Sequence, residues 1–285
     1  MNLTTSRRRL RVGAAATGAL AFALALAACS ASPAEITTPA SDRPATSAGS
    51  QETTDDAATE LPDLTGDLTV FAAASLEGVF TELGTLLESR HPQLSVTFNF
   101  AASSALAQQV LAGAPADVLA TASAATMTEA EAETGEPITF ASNVLVIVTP
   151  PDNPGSITGL TDFANADLRL ALCAVEVPCG AAADKIFTAT GIVPAPDTYE
   201  ANVTATLNRA VSGEVDAALV YRTDALGAGK SVGTIEFPES ADAINNNLIA
   251  ALTASENPDA AAAFIALVTS PEGQAVLRDA GFTLP

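Results

Sequence analysis

The chain has 285 residues, more than one minimal core needs and comfortable for two lobes. It carries 33 acidic residues against 12 lysines and arginines, a formal charge of −21. A surface of that sign repels a phosphate backbone and argues against a nucleic-acid partner.

Four arginines, Arg7, Arg8, Arg9 and Arg11, precede an apolar run from Gly13 to Ala28. A basic start, an apolar middle and small residues at the end describe an export signal over residues 1–28. The run is shorter than the roughly 20 apolar residues a membrane-spanning helix needs. It closes on Leu26-Ala27-Ala28-Cys29, which resembles the lipobox of bacterial lipoproteins. That resemblance implies that Cys29 becomes the acylated first residue and anchors the chain to the cell membrane, outside the cytoplasm. Residues 29–66 are Ser, Thr, Ala, Pro and acid, with too little apolar surface to offset ordering entropy, and read as a stalk. Loss of the four arginines with the signal takes the charge from −21 to −25.

From Asp67 the pattern alternates short apolar runs with helical ones. "LTVFAA" and "LSVTFNFAA" read as strands. Between them Leu76, Val79, Phe80, Leu83, Leu86 and Leu87 share one helical face. "SALAQQVLAGAP" reads as a helix closed by Gly113 and Pro115, and "ADVLATAS" as a strand. "NVLVIVTP", "LRLALC" and "DAALVYRTDA" read as further strands. Helices are expected from about Gly180 to Ala189 and from Val203 to Ser212, with two more at the end broken near Ser270 and Pro271. Such alternation predicts an α/β fold with mostly parallel sheets and helices on both faces.

Ligands of open α/β sheets sit beyond the carboxyl ends of strands. There the chain is small and nearly side-chain-free: "AAAS" up to Ser75, and "AASS" with Ser103 and Ser104. Two readings stand side by side. Each serine reads as an N-cap, worth about 1 kcal/mol; the pair also reads as a nest of neutral donors for an anion. Cys173 and Cys179 lie in a compartment where disulfides persist and read as a local bridge, contributing about 2 kcal/mol in the chain-entropy model. A metal site lacks further ligands, since His91 is the only histidine.

"VFAAASL", "FAASSALAQQVLAGAPADVLATAS", "VPCG", "VYRTDA" and "SPEGQAVLRDAGF" together resemble the molybdate-binding proteins of bacterial ABC importers. The resemblance runs from Leu68 to Phe282 in matching order. It implies a two-lobe periplasmic-binding-protein-like fold with a two-strand hinge over residues 67–285. Lobe 1 would take about 67–141 plus 252–285, and lobe 2 about 142–251. By motif position it implies oxyanion donors at Ser75, Ser103, Cys179 and Val203, the last two through backbone N–H groups, and at Tyr221 through its hydroxyl. It further implies molybdate or tungstate as ligand, no cofactor, no direct cation ligands, a permease and an ATPase as partners, and a monomer. Where many relatives carry Tyr-Pro before the second hinge strand, this chain has "NNNLIAAL".

The residues limit the rivals. An enzyme using Ser75 or Ser103 as nucleophile would need a base, and neither serine lies in a G-x-S-x-G elbow. A ferric site needs clustered tyrosines, whereas Tyr199 and Tyr221 are far apart in sequence. Binding of another oxyanion such as sulfate, or a surface lipoprotein role without a small ligand, stays open.

Overall fold

The computed structural model describes residues 63–285; the export signal, Cys29 and nearly all of the stalk read from the sequence lie outside the described residues. In chain order the elements are β1 (Thr65–Ala73), α1 (Glu77–Arg90), β2 (Gln93–Ala101), α2 (Ser103–Leu111), β3 (Val118–Thr121), α3 (Ala124–Glu129) and β4 (Ile138–Asn143). Then come β5 (Leu145–Thr149), β6 (Leu170–Cys173), α4 (Pro178–Thr190), β7 (Thr198–Glu200), α5 (Val203–Val211) and β8 (Ala217–Tyr221). The chain ends with α6 (Arg222–Ala228), β9 (Gly233–Ile235), β10 (Asn245–Ala251), α7 (Pro258–Thr269) and α8 (Pro271–Asp279).

Two five-stranded sheets form, ordered β2-β1-β3-β10-β4 and β7-β6-β8-β5-β9. Each has three parallel strands followed by an antiparallel fourth. The fifth strand again runs with the first three, so each sheet is mixed but mostly parallel, as expected, with β10 or β5 as its one reversed strand. Strands β3, β5, β6 and β8 are buried along their whole length, as strands covered on both faces must be.

Helix α1 lays Val79, Phe80, Leu83 and Leu87 on the first sheet. The Phe80 ring meets Phe264 edge-on at 5.3 Å and lies 5.9 Å from Phe140. Phe80 is fully buried, which contributes about 1.5–3 kcal/mol. Gly84 lets the helix approach β2, since a Cβ there would sit 2.7 Å from the Phe98 ring. The break between α7 and α8 falls where the sequence places it: Ser270 accepts the Gly273 N–H and Pro271 opens α8.

One boundary moves. Strand β10 hydrogen-bonds β3 and β4, so residues 245–251 belong to the first sheet and not to the second lobe. The two crossings between sheets are at 143–145 and 243–245, and Asn245 pairs directly with Asn143. Strand β1 also starts two residues before the expected boundary at 67.

Candidate functional site

A small cavity lies where the carboxyl ends of both sheets meet. It is lined by Ala73, Ala74, Ser75, Ala101, Ala102, Ser103 and Ala122 from one side, and by Val177, Pro178, Cys179, Asn202, Val203 and Tyr221 from the other. The space open to the centre of a water-sized sphere is about 20 Å³, within about 230 Å³ free of protein atoms. That is room for one compact solute and less than the roughly 300 Å³ at which drug-sized pockets begin. All five residues singled out by motif, Ser75, Ser103, Cys179, Val203 and Tyr221, line this one cavity. Among the described residues no charged side chain lines it.

Neither serine is an N-cap, contrary to one of the two readings of the sequence. Ala73 caps the short 3-10 turn 74–76, Leu76 caps α1, and Ala102 caps α2. Both alanine caps are extended at ψ near 140° and bring the chain into the turn two residues before Ser75 and one before Ser103. The serines thereby fall inside the first turn with their hydroxyls free of capping. The Ser75 Oγ is buried and has no hydrogen-bond partner among the described residues. The Ser103 Oγ accepts the Ala122 N–H at 2.9 Å, and the residue is 1% exposed.

On the opposite wall Pro178 occupies the first position of α4, where an N–H has no intrahelical partner anyway. Cys179 follows with its N–H unclaimed by helix geometry, and no side chain caps that end. Val203 opens α5, whose N-cap Asn202 accepts the Ala205 N–H at 2.9 Å and leaves the Val203 amide unclaimed. Helices α2, α4 and α5 thus bring their positive ends to the cavity. Tyr221, at the end of β8, is buried, and its hydroxyl oxygen accepts from Asn245 Nδ2 at 2.8 Å. Burial first, and the nearby Asp224 second, hold its phenol well above the usual 10, so it stays a neutral donor.

The Cys173–Cys179 disulfide forms, with Cα atoms 5.8 Å apart. It closes the loop that carries the Cys179 amide, and Cys173 Sγ lies 3.3 Å from the Thr206 hydroxyl of α5. Sequence reasoning missed Asn245, Asn202 and the Ala122 main chain. Three asparagines opening an otherwise apolar strand were the available signal for the first. His91 accepts the Leu64 N–H at 3.4 Å and does not line the cavity.

Asp224 in α6 accepts the Tyr221 N–H at 3.2 Å. Burial outweighs its backbone hydrogen bonds and pushes its carboxyl up from 3.8 to about 7. The folded state therefore holds this proton more tightly than the unfolded chain. The associated stability is complete below about pH 4 and is lost as pH rises through about 7. Asp224→Asn keeps an acceptor for the Tyr221 N–H. It is expected to unfold at a higher temperature than wild type at pH 8, with the difference vanishing toward pH 4. Thermal unfolding by circular dichroism across that range is the check; superimposable profiles would mean an ordinary carboxyl.

The profile of the bacterial extracellular solute-binding proteins matches residues 68–283. The chain belongs to that family. The molybdate-binding protein ModA of Mycobacterium tuberculosis is 40% identical over 221 residues, covering 76% of this chain and 85% of the relative. The resemblance read from the serine motifs thus extends over the folded part. The structure of the Azotobacter vinelandii periplasmic molybdate-binding protein matches with a TM-score of 0.66 at 19% identity, covering 76% of this chain and 99% of that one. The sulfate-binding protein SubI of Mycobacterium tuberculosis matches almost as well, with a TM-score of 0.64 at 17% identity over 76% of this chain and 86% of that one. At such identities the architecture is shared among solute-binding proteins, and the choice of solute rests with the site residues.

Proposed function

We propose that this solute-binding protein captures molybdate, or the near-identical tungstate, as a dianion outside the cytoplasm and hands it to the permease and ATPase of an ABC importer. In this reading Cys29 carries the lipid that tethers the chain to the membrane, and the protein works as a monomer without a cofactor and without catalysis. Ser75, Ser103 and Tyr221 donate through hydroxyls, and Cys179 and Val203 through main-chain N–H groups.

The observation that carries the reading is the Ser75 hydroxyl, which among the described residues is buried without a partner on the wall of a cavity lined by no charged side chain. A buried orphan hydroxyl costs about 1–3 kcal/mol, which a guest that accepts its hydrogen bond would recover. Hydrogen bonds to a charged guest contribute about 1.5–3 kcal/mol each, enough over five donors to offset desolvation and reach about −8 kcal/mol, a micromolar Kd. Hydrogen phosphate brings a proton of its own, and among the described residues no carboxylate lines the cavity to accept its hydrogen bond. Molybdate, tungstate and sulfate are fully deprotonated at neutral pH, and cavity size then separates sulfate from the larger pair.

Calorimetric titration of the purified chain with molybdate, tungstate, sulfate and phosphate tests this. Molybdate and tungstate are expected to bind with Kd at or below about a micromolar, and sulfate and phosphate far more weakly. Equal affinity for sulfate would overturn the assignment in favour of a general oxyanion binder.

A further inference from the structure

Asn245 is not among the residues that line the cavity, yet its amide bonds the Tyr221 hydroxyl that does. It opens β10, pairs with Asn143 of β4 beside both crossings between sheets, and is 7% exposed. Its Nδ2 lies 2.9 Å from the Ala122 carbonyl oxygen and 2.8 Å from the Tyr221 hydroxyl. A carbonyl oxygen only accepts, so the atom facing it is the amide nitrogen. The second N–H of that nitrogen then points at the Tyr221 oxygen, which is left to accept. The phenol proton is thereby turned away from Asn245.

Ser103 is treated in the same way. The Ala122 N–H donates to its Oγ, and a backbone N–H only donates. The serine proton must therefore seek another acceptor, and neither hydroxyl has one among the described residues. Ala122 thus orients Ser103 through its N–H, and Tyr221 through its carbonyl and Asn245. The first link joins groups within the first sheet's lobe; the Asn245–Tyr221 bond crosses from that lobe to β8 of the second.

We propose that Asn245 is a positioning residue for the ligand site: its N–H occupies the Tyr221 oxygen so that the phenol proton is left for the guest, and the same bond ties the second lobe to the first beside the crossings between the sheets. This rests on the oxyanion reading above and deepens it, because a site in which Ser103 and Tyr221 are turned to offer their protons favours guests that only accept. Discrimination against hydrogen phosphate is then a property of Asn245 as well as of the lining residues. With Asn245 removed, the Tyr221 hydroxyl is free to rotate and accept a hydrogen bond from a protonated guest.

The test is a double-mutant cycle of Asn245→Ala and Tyr221→Phe, read by calorimetry with molybdate and phosphate. Each single change is expected to weaken molybdate binding about tenfold or more. The double variant is expected to bind within about twofold of Tyr221→Phe alone, because the two act through one bond. Asn245→Ala is also expected to narrow the molybdate-to-phosphate ratio of affinities about tenfold, a change that loss of packing alone would not produce. Asn245→Ser, which keeps one donor in a smaller side chain, carries the same cycle should the alanine variant unfold. Molybdate binding by the Asn245 variant equal to wild type, or losses that simply multiply in the cycle, would overturn this role alone. Failure of the wild-type chain to bind any of the anions would overturn the oxyanion reading and this role with it.

Discussion

Ser75→Ala is expected to weaken molybdate binding by about 1.5–3 kcal/mol, roughly 10- to 150-fold, while leaving the unliganded protein at least as stable as wild type. The asymmetry follows from the position of the hydroxyl. It is buried and unpartnered among the described residues, so the free protein carries its desolvation cost without a compensating bond. Alanine removes that cost and cannot open a large void, since only one oxygen is lost. In the complex the same oxygen would give a bond to a charged acceptor, which is among the stronger kinds. Ser103 behaves differently, because its Oγ also receives the Ala122 N–H and its removal strands a buried donor. Calorimetry with molybdate and thermal unfolding with and without it measure both halves. Unchanged affinity would remove Ser75 from the site, and a large drop in unliganded stability would mean the hydroxyl has a structural partner.

Gly180→Ala is expected to damage both the fold and the site. A Cβ at Gly180 would stand 1.8 Å from the Ala174 carbonyl oxygen, 2.4 Å from its carbon and 2.7 Å from the Cys173 oxygen. All three are main-chain atoms with little room to retreat. The Ala174 oxygen accepts the Val177 N–H at 3.1 Å, the Ala174 N–H donates to Glu200 at 2.9 Å, and the disulfide holds the loop at both ends. Overpacking costs about 1–3 kcal/mol and more against backbone. At about 2–4 °C per kcal/mol for a domain of this size, the unfolding temperature is expected to fall by several degrees. The displaced segment carries the Cys179 amide, so molybdate affinity is expected to fall more than tenfold as well. Gly78→Ala in α1 is the control, since a Cβ there meets nothing within 4 Å; it is expected to be neutral or to stabilise by up to about 1 kcal/mol. Equal behaviour of the two variants in thermal unfolding would refute the clash.

The strands β1, β2, β3, β5, β6 and β8 and the inward face of α1 were legible because burial imposes a local periodicity on the chain. The small residues before each ligand-side helix were legible for the same reason, as a departure from that periodicity. The elements α3, β4, β7, α6 and β9 were not: β4, β7 and β9 are partly exposed and lack a continuous apolar run, and α3 and α6 are under two turns long.

By itself the sequence determined the alternation of strand and helix, the disulfide pair, the break at Ser270 and Pro271, and which five residues to examine. The tertiary structure alone decided that β10 joins the first sheet, that neither serine is a cap, and which way the hydroxyls point. The physical reason is distance along the chain. Periodicity and capping residues act over a turn or two, whereas Ser103 is oriented by an amide 19 residues away, and Tyr221 by an asparagine whose own orientation is set by a carbonyl 123 residues before it.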